Sequence, residues 1–129
     1  MDVENYQIKL VESSKDFWFL YDALENDNSA LIYDRTIILD SYTNKQLFSL
    51  YHKETMKMLQ CFVSIDYDHD LEIIWVHTKI SKQGVGSYLV KKINPVKILN
   101  PLDDARKFWT AMGYINEHKN ADGDIWLSK

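Results

Sequence analysis

Residues 81–90 read SKQGVGSYLV, and Gly84 and Gly86 there are two of only four glycines in the chain. They follow an apolar run, LEIIWVH (71–77), that reads as a buried strand, and they lead into YLVKKI (88–93), whose residues suit a helix. Glycines at a strand-to-helix junction have two readings. They make a turn, or they leave the first backbone N–H groups of the helix open to a bound anion.

The surrounding charge sharpens the question. Residues 1–78 carry 6 Lys and Arg against 14 Asp and Glu, whereas residues 79–107 carry 7 against 2. A basic segment beginning beside the glycines of an otherwise acidic chain suggests a local anionic ligand; the plainer reading is a solvated helix face. A net charge of −4 argues against a general nucleic-acid partner, which needs a phosphate-neutralising surface.

With 129 residues, 46% of them hydrophobic, the chain is expected to form one domain over 1–129. No stretch approaches the roughly 18 apolar residues of a membrane span, and the acidic start MDVENYQIKL is unlike a secretory signal. The lone cysteine, Cys61, sits in an apolar run and reads as a small buried hydrophobe rather than a nucleophile. A cytoplasmic protein without membrane contact is the simplest expectation. His52, His69, His77 and His118 show no ligand spacing, and DYDHD (66–70) lacks the glycine and terminal glutamate of a calcium loop, so no metal is expected. Trp18, Trp75, Trp109 and Trp126 are read as core residues.

Outward from the glycines the pattern alternates between periods. YQIKLV (6–11) reads as a strand. Ser13 or Ser14 caps a helix to about Glu25, with Phe17, Leu20, Tyr21 and Leu24 on one face. Residues 30–44 fit a second helix, although IILD would also suit an extended segment. QLFSLYH (46–52) and MKMLQCFVSI (56–65) read as a hairpin, and the turn DYDHD joins it to the strand at 71–77. A helix from Gly84 to about Ile93 stops before Pro95, and VKIL (96–99) forms a short strand. Pro101 opens a helix to about Met112 that Gly113 ends, and YINEH (114–118) with DIWLS (124–128) makes a last hairpin. The order implies a mixed, mainly antiparallel sheet of six to seven strands flanked by helices, an α+β arrangement with one parallel crossover across 71–99.

Two phosphate motifs are excluded. Gly86 is followed by Ser87–Tyr88 rather than Lys-Ser/Thr, so this is no P-loop. Leu89 stands where a dinucleotide fingerprint needs a third small residue. A third pattern fits. VHTKISKQGVGSYLV (76–90) resembles the acyl-CoA-binding motif of the GNAT superfamily of N-acyltransferases, in which a strand ends and Arg/Gln-x-x-Gly-x-Gly/Ala opens a helix. ARKFWTAMGY (105–114) resembles the second block of that family, Ala-x-x-Phe-Tyr-x-x-x-Gly-Phe.

The resemblance implies an acetyl-CoA-dependent acetyltransferase acting on a primary amine by direct attack. Main-chain N–H groups across Ser81, Lys82, Gln83, Gly84, Val85 and Gly86 would hold the pyrophosphate of the donor, with Ser87 beside them. Val76, His77 and Thr78, at the strand end, would pair with the pantetheine arm. Phe108 and Trp109, in the second block, would also contact the cofactor. Asp70, with Glu72 two residues on, would occupy the position of a general base. The acidic first half would favour a cationic acceptor such as a polyamine, an aminoglycoside or a lysine side chain, and a homodimer would fit the superfamily. Two residues depart from the pattern: Ser81 replaces the Arg/Gln, and Trp109 replaces a tyrosine that often protonates the leaving thiolate. Indole N–H is a donor but not a usable acid. The second functional reading is therefore a GNAT-fold binding or interaction module without catalysis, with or without CoA.

Overall fold

The computed structural model describes residues 2–129. Its chain order is β1 (Tyr6–Leu10), α1 (Ser14–Glu25), α2 (Ile32–Thr43), β2 (Leu47–His52), β3 (Cys61–Ile65), β4 (Asp70–Val76), α3 (Val85–Ile93), β5 (Lys97–Leu99), α4 (Arg106–Ala111), β6 (Asn116–Lys119) and β7 (Ile125–Ser128). The seven strands form one sheet in the order β1-β2-β3-β4-β5-β7-β6. Only the β4–β5 pair is parallel. The α+β expectation and the parallel crossover both hold.

Helices cover both faces. Phe17, Leu20 and Leu24 of α1 and Ile38 of α2 pack with Phe62 and Trp75 on one side. Val85, Leu89 and Val90 of α3 and Trp109 of α4 pack with Cys61, Val63, Leu71 and Ile98 on the other. Strand side chains alternate between these two cores, as a sheet buried on both faces requires. Burial pushes the Cys61 thiol up to about 11, which keeps it a protonated, unreactive filler.

The first helix starts as expected, with the Ser13 hydroxyl accepting from the Asp16 N–H at 3.1 Å. The ambiguity at 30–44 resolves as α2. Its inward face is Asp34, Ile37, Ile38 and Ser41, so polar residues at both ends blur the apolar stripe. The Ser41 hydroxyl is satisfied by Ser64 across a buried 2.6 Å hydrogen bond.

Three expectations need correction. The strand at 56–65 is confined to Cys61–Ile65, because Met56 takes a positive φ of 61° and residues 56–60 keep one bridge, Tyr51 to Met58. The helix at 101–112 is α-helical only over Arg106–Ala111. It opens with a 3-10 turn, Asp103–Ala105, because no side chain caps an earlier start. Trp18 is 53% exposed, on the outer face of α1, whereas Trp75 and Trp109 are buried as expected.

The seam between β4 and β5 is short. Its register consists of Asp70 with Lys97 and Leu71 with Ile98, and β5 ends at Leu99. Asn100 then adopts φ 49° and donates its N–H to Ile125, turning the chain toward β7 and leaving the rest of β4 without a partner on that side. Leu71 and Ile98 are both essentially inaccessible. We expect Leu71→Ala to lower unfolding free energy by about 2–5 kcal/mol in urea titrations. A loss below about 1 kcal/mol would mean the seam is held mainly by its flanks.

Candidate functional site

The sheet parts at this seam. Beyond Leu71 the edge of β4 faces a cleft, and a pocket of about 90 Å³ lies in it, floored by Ile73, Ile74 and Ile98 and walled by Trp109 and Ala105. Tyr33 and Asp34 of α2, Glu72 of β4 and Asn100 after β5 supply its polar groups. A larger hollow of about 470 Å³ lies between the β1–β3 face and the C-terminal end of α3, over Ile8, Phe48 and Ile65. It includes none of the residues that the sequence motifs single out.

A bulge shapes the strand at the cleft. Ile65 pairs with Leu71 and Ser64 pairs with Ile73, so Glu72 is the extra residue opposite them. The bulge falls between Glu72 and Ile73, past Asp70: Leu71 packs into one core, and Ile73 packs into the other, on the side of α2 that Glu72 also faces. Asp70 sits at the closed end of the seam, its carboxylate 3.4 Å from Lys97, and it does not line the pocket. Burial and the neighbouring Asp66 carboxylate raise its pKa, against the pull of Lys97. Glu72 turns instead toward α2, where the Tyr33 hydroxyl donates to its Oε1 at 2.7 Å. That hydrogen bond, with burial, pushes the Tyr33 phenol up to about 12. No sequence pattern singles out Tyr33, since its partner lies 39 residues away.

At the other end of β4 the chain enters the glycine loop. The His77 carbonyl accepts from the N–H groups of Ile80 (2.9 Å) and Ser81 (3.0 Å). His77 itself is buried, its Nδ1 accepting from the Lys79 N–H at 3.1 Å and its ring edge-on to Trp75, so it shapes the turn. The Ser81 hydroxyl donates to the Thr78 carbonyl at 3.0 Å, and the Gln83 amide donates to the Lys79 carbonyl at 3.2 Å. Both side chains therefore fold back into the loop. Lys79 and Lys82 remain exposed at its rim.

Two left-handed residues, Lys82 (φ 65°) and Gly84 (φ 81°), bend the loop into α3, and Gly84 caps the helix without a side-chain bond. The first helical hydrogen bond to form is from the Tyr88 N–H to the Gly84 carbonyl, at 3.0 Å. Among the described residues, no backbone N–H from Lys82 through Ser87 donates within the protein. A run of open donors at the positive end of a helix is suited to an anion. Of the residues singled out from the sequence, Ser81 to Ser87 form this loop and its entry into α3, Glu72 and Trp109 line the cleft, and Val76, His77 and Thr78 connect the two along the chain.

Helix α4 joins the two halves of the site. Phe108 lies under Gly86, 3.6 Å from where a Cβ would stand, and the next residue, Trp109, walls the cleft. Two other phenols near the motifs are engaged elsewhere: Tyr114 donates to the Pro95 carbonyl at 2.7 Å and Tyr88 to the Tyr6 carbonyl at 3.0 Å.

No family model matches the sequence, and no curated protein sequence matches it. Solved structures do match in shape. The Bacillus subtilis N-acetyltransferase YlbP in complex with coenzyme A superposes with a TM-score of 0.61 at 14% identity, covering 95% of this chain and 94% of that one. An aminoglycoside 6'-N-acetyltransferase complexed with coenzyme A gives 0.56 at 14%, covering 95% and 96%. An acetyltransferase of the GNAT family from Bacillus cereus gives 0.56 at 18%, covering 95% and 93%. The chain has the GNAT fold over nearly its whole length.

The two glycines differ in what the protein itself requires of them. Gly84 needs its left-handed backbone, although nothing lies within 4 Å of where a Cβ would stand. We expect Gly84→Ala to cost about 1–2 kcal/mol. Gly86 has an ordinary backbone and only van der Waals contact awaiting a methyl group. Gly86→Ala is expected to leave stability unchanged or raise it by up to ~1 kcal/mol. Equal losses at both sites in chemical denaturation would contradict this.

Proposed function

We propose that the protein is an acyl-CoA-dependent N-acetyltransferase. The single observation that carries this reading is the juxtaposition of the open donors of 82–87 with the cleft beside the unpaired edge of β4. The pyrophosphate of acetyl-CoA would lie on the loop, with Lys79 and Lys82 at its edge. The pantetheine arm, an extended chain with two amides, would run along β4 as a strand does, past Thr78, His77 and Val76. Its thioester would then reach the bulge at Glu72. The fold supports the same reading, because coenzyme A is bound in two of the structures the chain resembles.

Ser81 drops out of this arrangement: its N–H donates to the His77 carbonyl and its hydroxyl to the Thr78 carbonyl, so the donors that would hold the pyrophosphate begin at Lys82. Gly86 has neither a left-handed φ nor a steric neighbour that demands glycine, so close approach of a ligand accounts for it. The acceptor would enter from the side of α2, where Asp34 and Glu72 favour a cationic primary amine. The donor acyl group would pass to it in one step, with the thioester carbonyl attacked directly.

One observation favours a second reading. Trp109 is buried and packed edge-on against Phe108 and Tyr114, so it stands as a wall rather than as a proton donor. A GNAT-fold protein that binds CoA without transferring its acyl group would keep the loop and lose the chemistry.

Calorimetric titration with acetyl-CoA tests the shared premise. Micromolar binding is expected, and Gly86→Trp should abolish it while the far-ultraviolet circular dichroism stays that of the folded protein. Absence of binding at millimolar acetyl-CoA would overturn the reading. Binding without acetyl transfer to any amine would establish the second one.

A further inference from the structure

Acyl transfer moves two protons, one from the attacking amine and one to the departing thiolate, and Trp109 can supply neither. We propose that Glu72 and Tyr33 form a single relay for both, with Glu72 taking the proton of the amine and Tyr33 handing its own to the sulfur. This rests on the acetyltransferase reading above. Three observations carry it. Tyr33 and Glu72 both line the cleft that Trp109 walls. They are joined by a 2.7 Å hydrogen bond in which the phenol is the donor. Tyr33 is the one phenol among the described residues lining that pocket, since Tyr88 and Tyr114 are tied to backbone carbonyls elsewhere.

Glu72 is the extra residue of the β4 bulge, and its carboxylate faces the start of α2. Tyr33 sits in the first turn of that helix and is 51% exposed, so its hydroxyl is accessible from the cleft while still bonded to the carboxylate.

The step balances. The neutral amine attacks the thioester carbonyl, the C–N bond forms and the C–S bond breaks. The amine proton passes to the Glu72 carboxylate. The Tyr33 proton passes to sulfur, and the new carboxylic proton returns to the phenolic oxygen, restoring both side chains. A phenol held near 12 is too weak an acid to protonate a thiolate alone, since a thiol ionises near ~8.5. Coupled to the carboxylic acid formed in the same step, a stronger acid than a thiol, the transfer runs downhill. The hydrogen bond that weakens the phenol as an isolated acid is thus the path that makes it effective.

The test compares wild type, Tyr33→Phe and Glu72→Gln with acetyl-CoA and with its selenium analogue, whose selenolate leaves without needing a proton. Spermine, kanamycin and a lysine-containing peptide serve as acceptors. Acetyl-CoA affinity by calorimetry should stay within about twofold in both variants, as neither touches the glycine loop. Tyr33→Phe should lower kcat roughly 10²-fold with acetyl-CoA, and most of that deficit should vanish with the selenoester. Glu72→Gln should be slow with both donors, because the amine proton still has nowhere to go. A Tyr33→Phe variant at the wild-type rate, or with the same deficit on both donors, would overturn the relay. So would a wild type that binds acetyl-CoA yet acetylates none of the three amines, a result that leaves the loop intact as a binding site. If acetyl-CoA does not bind at all, the functional reading falls and the relay with it.

Discussion

The architecture turns on two residue pairs. Asp70 with Lys97 and Leu71 with Ile98 are all that joins β4 to β5. Parallel strands need a crossover between them, and here the crossover is the glycine loop and α3. The same connection that makes the pairing parallel therefore delivers a helix N-terminus to the open end of the split. Were β5 longer, its backbone would fill the edge of β4 and leave no cleft. Asn100, in a left-handed conformation, and Pro101 after it turn the chain away at the point where pairing would continue.

The closed end of the split is polar and the open end is not. Lys97 meets Asp70 there and also lies 5.1 Å over the Trp126 ring, which in turn stacks on His118. These contacts tie β5, β7 and β6 together on the side that α1 and α2 leave uncovered. Along the cleft, by contrast, the floor is isoleucine, and the polar groups are few: Tyr33 and Asp34 of α2, Glu72 of β4 and Asn100 after β5. An apolar trough with a few oriented groups is the usual form of a site for a small ligand.

Much of this is legible in the sequence, for reasons specific to each element. The strand at 71–77 and the helix after Gly84 have strong periodicity and sharp punctuation, and both lie within one or two residues of expectation. The start of α1 is set by the Ser13 cap. The region 30–44 is ambiguous because Asp34 and Ser41 occupy inward positions, and what satisfies them, such as Ser64, is supplied by the fold. The open loop donors follow from local chain geometry, so the motif points to them. The Tyr33–Glu72 pair sits at a bulge, a matter of register with β3 that no local pattern encodes. Asp70 and Glu72 differ in their partners, Lys97 and Tyr33, which only the tertiary fold supplies.

The short seam also has a mechanical meaning. Four strands, β1 to β4, and three, β5 to β7, behave as two leaves of one sheet hinged along a line two residues wide. Bending costs least where the fewest hydrogen bonds resist it, so slow breathing of the molecule concentrates there rather than in either leaf. Phe108 under Gly86 clasps the leaves from one face, and anything lodged in the cleft acts as a wedge that fixes their angle. An occupied protein is then stiffer as well as more stable than an empty one, and amide exchange along Glu72–Val76 would report that stiffening directly.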